Sequence, residues 1–196
     1  IWNPRRDRYV PRPFHRGDLA GKRAAKEELF KRAKLDYSRI DMPLFGTVGR
    51  LVDQKGIDLV LGVADQLVES NANLIALGSG ASEYENALRG LATRRPDRVG
   101  ASIGFDNELA HLITAASDVF LMPSRFEPCG LNQLYSLAYG TIPVVRRTGG
   151  LADTVWDWNP WNGSGTGFVF DQPSSDGLSG AVDRAIRTYH HQGAWH

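Results

Sequence analysis

The sequence predicts an α/β fold built on a mostly parallel, doubly wound (Rossmann-like) sheet. Short, continuously apolar segments alternate with helical patterns along the chain, as expected for parallel strands covered on both faces. Several of these segments end in loops rich in glycine and polar residues, which is where open α/β sheets bind ligands. The 196 residues are enough for one such domain with a substantial core.

Six strands are predicted from the apolar segments, and right-handed connections between them give the doubly wound arrangement. In chain order they cover residues 44–49, 73–78, 99–103, 119–122, 142–145 and 167–170.

Six helices are predicted from the periodicity of apolar residues and from helix-end signals. Asp18 is the predicted N-cap of the first helix. The first 17 residues contain three prolines and no helical or strand period, which predicts a linker or an extended segment. The predicted helices cover residues 19–34, 56–70, 82–94, 108–116, 131–139 and 177–190.

The composition argues against several classes of protein. No apolar run approaches the ~20 residues that span a bilayer, and the first residues carry charge and proline where a signal peptide needs an apolar core. A single cysteine, Cys129, excludes an internal disulfide framework and is typical of a reducing compartment. No cluster of His, Cys and Asp has metal-ligand spacing. We therefore expect a cytoplasmic protein without a metal or a membrane partner and, because there is no initial methionine, part of a longer chain.

Charge is unevenly distributed, although the formal net charge is only +1. Residues 1–34 hold eleven lysines and arginines against four acidic residues, whereas the remainder holds twelve against eighteen. A nucleic-acid-binding surface would need aromatic residues among these cations. Between residues 17 and 34 the cations alternate instead with Ala and Leu, which predicts the solvated face of an amphipathic helix and no nucleic-acid partner.

Two cations lie in the loop that follows the first predicted strand. Arg50 and Lys55 are five positions apart, across a tight loop that opens the next helix. A guanidinium and an ammonium group beside a helix N-terminus can hold a diphosphate. A pair of ordinary surface cations fits the spacing equally well.

Segment 124–134 combines charge, glycine and a helix start directly after an apolar strand. Glu127 lies there between Phe126 and Pro128, and it either contacts a ligand or interacts favourably with the helix N-terminus. Cys129 is interpreted as a small buried residue or as a thiol that lines a pocket. Without a recognisable His/Asp set it is not predicted to be a nucleophile.

Three other positions have both a structural and a functional interpretation. Gly149 and Gly150 permit either a plain turn or a close approach of the backbone to a ligand. Phe105 follows a strand and is either a base-stacking aromatic or part of the core.

Two further sequence signals are weak. The Gly-Ser-Gly at 78–80 lacks the strand–GxGxxG–helix context of a dinucleotide site. Trp156, Trp158 and Trp161 crowd one segment, either as a sugar platform or, as we favour, as a patch against a partner domain.

Three motifs resemble the C-terminal domain of bacterial glycogen synthase and starch synthase, which are retaining glucosyltransferases of the two-domain GT-B architecture. They are RLVDQKG at 50–56, PSRFEPCGL at 123–131 and YGTIPVVRRTGGLADT at 139–154, in the order and at the spacing of that family. The resemblance covers essentially the whole chain. It implies that residues 1–17 connect to another domain and that residues 18–196 form a C-terminal nucleotide-sugar-binding domain of Rossmann type.

The resemblance implies a role for each candidate residue. Arg50 and Lys55 would hold the diphosphate of a nucleotide-sugar and take part in catalysis by holding the leaving ADP. Glu127 would be the catalytic acidic residue beside the glucosyl donor. The other implied contacts are Gly104 and Phe105 at the adenine, Cys129, Gly130, Leu131 and Asn132 at the sugar and phosphates, and Gly149 and Gly150 at the donor.

Three positions distinguish this chain from the family pattern or from related families. Asn132 stands where Thr is usual beside the phosphates, and Phe105 where Tyr is frequent. Tyr135 replaces the second Glu of the Glu-x7-Glu pattern of related transferases. This last replacement is usual in the bacterial synthases and supports the resemblance to them.

The resemblance implies the donor-binding domain of an enzyme that transfers glucose from ADP-glucose to the nonreducing end of an α-1,4-glucan, with retention. ADP-glucose and ADP are the expected ligands. No metal or other cofactor is implied, because two cations and helix dipoles replace it at the diphosphate. The glucan acceptor and an N-terminal domain with a Lys-x-Gly-Gly-Leu loop belong to the full-length protein, so the fragment alone is predicted to be inactive.

Two other functions stay open at the level of sequence. One is a GT-B enzyme of another substrate class, such as a sucrose or trehalose-phosphate synthase, although the Glu-Pro-Cys-Gly run at 127–130 argues against it. The other is a non-catalytic nucleotide- or glucan-binding module, whose parent gene would lack the N-terminal domain.

Overall fold

A parallel sheet of six strands runs through the protein, which is described over residues 2–191 by a computed structural model. The strand order is β3-β2-β1-β4-β5-β6, and every neighbouring pair is parallel. The order reverses between β1 and β4, which is where doubly wound sheets bind their ligands. The strands are β1 (Leu44–Val48), β2 (Asn73–Gly78), β3 (Val99–Ile103), β4 (Val119–Met122), β5 (Ile142–Arg146) and β6 (Phe168–Phe170).

Helices cover both faces of the sheet, so the predicted doubly wound α/β fold is confirmed. Alternate residues of each strand enter different cores: Phe45 and Leu121 pack on one face, and Leu44 and Phe120 on the other. None of the helices within residues 2–191 is long and apolar enough to cross a membrane. The helices are α1 (Ala20–Ala33), α2 (Ile57–Gly62), α3 (Ala64–Glu69), α4 (Ser82–Arg94), α5 (Asn107–Ala116), α6 (Asn132–Ala138), α7 (Gly149–Thr154) and α8 (Ser175–His190).

Three predicted helix features differ from the structure. The helix predicted over 56–70 is broken at Val63 into α2 and α3, next to Gly62, where a Cβ atom would lie 2.3 Å from Ser175 Oγ of α8. The short α7 begins at Gly149, in a segment where the sequence predicts no helix. Leu19, and not Asp18, occupies the N-cap position of α1, while Asp18 Oδ1 accepts a hydrogen bond from Ala20 N at 3.1 Å.

The N-terminal segment packs firmly on the domain. Phe14 is buried, and the Trp2 indole stacks on the ring of His111 at 3.7 Å between centroids. The buried Asp7 carboxylate is hydrogen-bonded to His111 Nδ1 at 2.6 Å and accepts a hydrogen bond from the Tyr139 hydroxyl. Residues 2–17 are therefore an ordered part of the fold, and their connection to another domain stays a prediction.

Two lysines of α1 point into the protein, so the prediction of a solvated cationic face is wrong for them. The Lys22 ammonium donates to Ser117 O and Thr141 Oγ1, both at 2.6 Å, and to Ala115 O at 3.0 Å. Burial lowers the pKa of Lys22 to about 7. Lys26 pairs with Asp118 at 2.7 Å and donates to Met42 O at 2.8 Å.

Candidate functional site

A cleft opens at the carboxyl edge of the sheet, where the chain leaves β1 to β4. It consists of two adjoining hollows that share the wall formed by 48–50 and Leu77. The first hollow contains Lys55 and Asn132, and the second contains Gly104 and Phe105. The topology thus brings together residues from four different loops, at the edge where the sequence placed them.

The loop after β1 is fixed by contacts with the loops beside it. Leu51 N donates to Ser79 O at 2.9 Å, which extends the pairing of β1 with β2. Gly56 has a φ of +68°, and a Cβ there would lie 2.2 Å from Pro123 O. Only glycine permits this conformation and this approach at low cost. The contact holds Lys55 against the segment that carries Glu127.

Lys55, which lines the first hollow, forms an ion pair with Glu127, which lies behind it and lines neither hollow. The Lys55 ammonium donates to Glu127 Oε2, and the Ser124 hydroxyl donates to the same oxygen at 3.3 Å. Glu127 is buried, whereas Lys55 keeps part of its side chain in contact with solvent. A buried carboxylate needs such partners to stay charged. The site therefore holds a desolvated negative charge next to an accessible cation.

Arg50 presents a more accessible cation at the junction of the two hollows. Its guanidinium donates to Gln54 Oε1 at 3.2 Å, and Gln54 in turn donates to Phe126 O at 3.1 Å. A guanidinium has five N–H donors, so donors remain for an anion in the cleft. Asn132 Nδ2 donates to Val48 O at 3.1 Å, which ties the start of α6 to the end of β1.

Gly104 and Phe105 form the far wall of the second hollow. Phe105 is 93% exposed, so the interpretation as a core aromatic is wrong and the ring is available for stacking. Gly104 has a φ of +135°, and no atom lies within 4 Å of the place where its Cβ would be. The backbone at Gly104 is therefore open to the cleft.

Gly149 and Gly150 approach the protein's own backbone closely. A Cβ at Gly149 would lie 2.1 Å from Glu127 O, and one at Gly150 would lie 1.9 Å from Cys129 O. Gly150 N also donates to Glu127 O at 3.1 Å. The interpretation as a plain turn is wrong, since the pair begins α7 and seats the loop that carries Glu127.

The segment from Cys129 to Leu131 lies outside the walls of both hollows. The Cys129 thiol is exposed, so the interpretation as a small buried residue is wrong. Gln133 holds this segment in place, because its Nε2 donates to Cys129 O at 3.2 Å and to Gly130 O at 3.1 Å. No pattern in the sequence points to Gln133, because two of its partners are backbone carbonyl groups that any residue could supply. Its third partner is Thr154 Oγ1 at 3.1 Å.

Two arginines to which the sequence assigns no role, Arg125 and Arg146, stabilise the loops that carry Lys55 and Glu127. Arg125 binds both carboxylate oxygens of Asp58 at 2.7 Å and donates to Asp53 O at 2.8 Å. This pairing holds the pKa of Asp58 below its ordinary value. Arg146 Nε donates to Ser124 O at 3.0 Å. Arg125 and Arg146 donate to oxygen atoms of the protein and hold the loops in place. They differ in this from Arg50 and Lys55, which line the cleft.

The Gly-Ser-Gly segment at 78–80 closes on the protein itself. A Cβ at Gly78 would lie 1.9 Å from Gly49 O, and one at Gly80 would lie 2.2 Å from Leu51 O. Gly80 N donates to Glu85 Oε1 at 3.1 Å. These glycines are needed for the crossing of two loops, and the Gly80 amide is already occupied.

A family profile and the sequences of known proteins both relate this chain to glycosyltransferases. The profile of "Glycosyl transferases group 1" matches residues 30–195. The chain is 48% identical over 194 residues to a glycogen synthase of Anaeromyxobacter sp. (strain Fw109-5), covering 99% of this chain and 40% of that protein. It is 50% identical over 189 residues to a glycogen synthase of Paracidovorax citrulli (strain AAC00-1), covering 96% and 37%.

A solved structure extends this similarity to the fold. The catalytic domain of starch synthase IV from Arabidopsis thaliana, bound to ADP and acarbose, matches with a TM-score of 0.92 and 34% identity. The match covers 99% of this chain and 41% of that one. It confirms a GT-B glycosyltransferase-like fold and, with the glycogen synthase relatives, the resemblance carried by the three motifs. The chain spans about 40% of the length of its curated relatives. It belongs to the glycosyl transferases group 1 family.

Proposed function

We propose that this chain is the donor-binding domain of a retaining glucosyltransferase that transfers glucose from ADP-glucose to the nonreducing end of an α-1,4-glucan. One observation carries the proposal: a cleft at the switch point of the sheet combines two accessible cations, Arg50 and Lys55, with the exposed ring of Phe105. The similarity to glycogen synthases and to a starch synthase solved with ADP supports this choice of donor.

In this proposal the nucleotide spans both hollows. The adenine stacks on Phe105 beside the open backbone of Gly104, and the diphosphate lies between Arg50 and Lys55. Asn132 lines the diphosphate hollow, and the segment from Cys129 to Leu131 borders the sugar. The two cations neutralise the diphosphate as the bond to glucose breaks, so neither a metal nor another cofactor is required.

Glu127 acts on the glucosyl group in this proposal. In the free protein its carboxylate is neutralised by Lys55. When Lys55 turns to the diphosphate, Glu127 keeps the Ser124 hydroxyl and gains the sugar as a partner. A buried carboxylate beside the reacting carbon stabilises the positive charge that develops there. Gly149 and Gly150 hold the loop at the required depth.

The acceptor and the remaining catalytic groups belong to the N-terminal domain of a longer, cytoplasmic protein. A transferase of this architecture must close both domains over the donor to exclude water. Glycogen elongation from ADP-glucose should therefore stay at background with the 196-residue chain alone. Measurable synthesis by this chain would mean that the required catalytic groups all lie in this domain, and would overturn their assignment to the N-terminal domain.

Calorimetry of ADP and UDP with this chain tests the donor. We expect saturable ADP binding that is tighter than UDP binding, because adenine offers the larger face to Phe105. Phe105→Ala should weaken ADP binding by about 1–3 kcal/mol, the scale of base–aromatic stacking. Equal affinity for both nucleotides would overturn the choice of donor, and no binding of either would overturn the site.

A further inference from the structure

The loop that connects α7 to β6 displays two almost bare tryptophans. In residues 156–166, here called the tryptophan loop, Trp161 is 95% exposed and Trp156 is 67% exposed. Trp158 turns the other way and packs against the core beneath. An indole is among the largest apolar surfaces that a residue can bury. Two of them in water on one loop indicate a surface that is covered when a ligand binds.

Hydrogen bonds within the tryptophan loop fix its shape. Asn159 N donates to Ser164 O at 2.7 Å, and Trp158 N donates to Gly167 O at 2.8 Å. Gly165 has a φ of +123°, and a Cβ there would lie 2.6 Å from Trp158 Cα. The exposed indoles therefore stand on a folded support, which lowers the entropy cost of binding.

The chemistry of this surface favours a neutral, hydroxyl-rich ligand. Asp157 is the only charged residue in the tryptophan loop. It is paired with Arg184 at 2.8 Å and accepts from Val169 N at 2.7 Å. Nucleic acids and anionic lipids need unpaired cations, and this loop contains no Lys or Arg.

The polar groups of the loop complete this surface. Asn159 and Asn162 each use the side-chain oxygen to hold the loop backbone. Within residues 2–191, neither side-chain Nδ2 atom donates a hydrogen bond to a protein atom. Amide donors next to an indole match a sugar ring, which has an apolar C–H face and a rim of hydroxyl groups.

The tryptophan loop is separated from the nucleotide cleft by the depth of the sheet. Helix α7 starts at the carboxyl edge, next to Glu127, and returns the chain to the amino edge. The hollow beside the loop is lined by Ile142 and Phe168, the first residues of β5 and β6, together with Trp158. A ligand held there does not touch the donor.

We propose that the tryptophan loop is a second α-glucan-binding site, which holds the polymer away from the end that is extended. This proposal replaces the patch against a partner domain that the sequence alone favours for the three tryptophans. The choice of an α-glucan rests on the proposed function, whereas the case for a neutral carbohydrate rests on the loop itself. A polymer that reaches both edges of the domain would be held at two points, which raises its effective concentration at the cleft.

Electrophoresis of the 196-residue chain in native gels with and without glycogen tests this proposal, with calorimetry of maltoheptaose to quantify it. We expect retardation by glycogen. Trp161→Ala should raise the dissociation constant about tenfold or more, and Trp156→Ala should raise it less, in keeping with the smaller exposed face. Tyr37→Ala, which removes an exposed aromatic on a distant 3₁₀ turn, should leave binding unchanged.

ADP calorimetry on the same variants separates the two proposals. Normal ADP binding without glycogen retardation would overturn the second site and leave the donor site intact. Glycogen binding that depends on Trp161, without ADP binding, would do the opposite. Retardation that survives the Trp156→Ala/Trp161→Ala double variant, or self-association that the double variant abolishes, would show that these indoles serve another partner.

Discussion

Lysines at the two edges of the sheet are used in opposite ways. Near the amino edge, Lys22 and Lys26 are enclosed, and their ammonium groups donate to carbonyl, hydroxyl and carboxylate oxygens of the protein. At the carboxyl edge, Lys55 remains partly exposed and has Glu127 as its partner. Among residues 2–191, the Arg50 side chain is hydrogen-bonded only to Gln54.

The comparison separates supporting cations from ligand-binding ones. A cation whose donors are all occupied by buried oxygens stabilises the fold and has nothing to offer a ligand. A cation with spare donors beside a cleft can exchange a protein partner for an anion. Substitutions at the two edges should therefore affect different measurements, the free energy of unfolding at one edge and ligand binding or turnover at the other.

The largest effect on stability is expected at the amino edge. Lys26→Met removes the partner of Asp118, which would remain largely buried with Leu44 N as its one hydrogen-bond donor among residues 2–191. Breaking a buried ion pair on one side costs about 3–5 kcal/mol. Urea unfolding should show this loss, while ADP affinity of the folded protein stays unchanged. Lys31→Met, at an exposed position of the same helix, is the control and should change stability by less than about 0.5 kcal/mol.

Glu127→Gln should give the largest effect on turnover. In a full-length protein that contains this domain, we expect kcat to fall about 100-fold or more, because the neutral amide cannot stabilise developing positive charge. ADP binding should stay near normal. Turnover close to that of the unchanged protein would reduce Glu127 to a carboxylate that supports its loop.

Arg50→Ala and Lys55→Ala should act on the nucleotide. Each removes a charged hydrogen bond to the diphosphate, so ADP affinity should fall by about 1–3 kcal/mol in calorimetry. Lys34→Ala, an exposed cation at the end of α1, is the matched control. If neither change moves the ADP dissociation constant beyond error, the assignment of the diphosphate to these residues fails.

The strands could be predicted within a residue or so, because a strand covered on both faces must be apolar along its whole length. The parallel order then places Arg50 and Glu127 at one edge without further information. Lys22 and Lys26 could not be assigned in this way, since a periodic pattern counts every lysine as solvated. The partners of Lys22, for example, include the carbonyl oxygens of Ala115 and Ser117, which lie 93 and 95 positions further along the chain.

The shape of the loop that carries Glu127, between β4 and α6, could not be predicted from the sequence either. It depends on Gly149, Gly150 and Gln133, which contact backbone atoms of the loop. Such contacts are independent of the identity of the partner residue and leave no pattern to read. For the same reason the exposure of Cys129 could not be predicted from its neighbours.

The smallest effect tests whether a supporting ion pair also exists at the carboxyl edge. Arg125 lowers the pKa of Asp58, so the pair stabilises the folded state above the ordinary carboxyl pKa of about 4, and this contribution is lost as the pH falls through the lowered value. Both side chains are about one-third exposed, which limits the effect to about 1 kcal/mol or less. Urea unfolding at pH 7 and pH 3 should show a smaller loss of stability on acidification for Asp58→Asn than for the unchanged chain. Equal losses would mean that Arg125 positions the loop without stabilising the folded state through its charge.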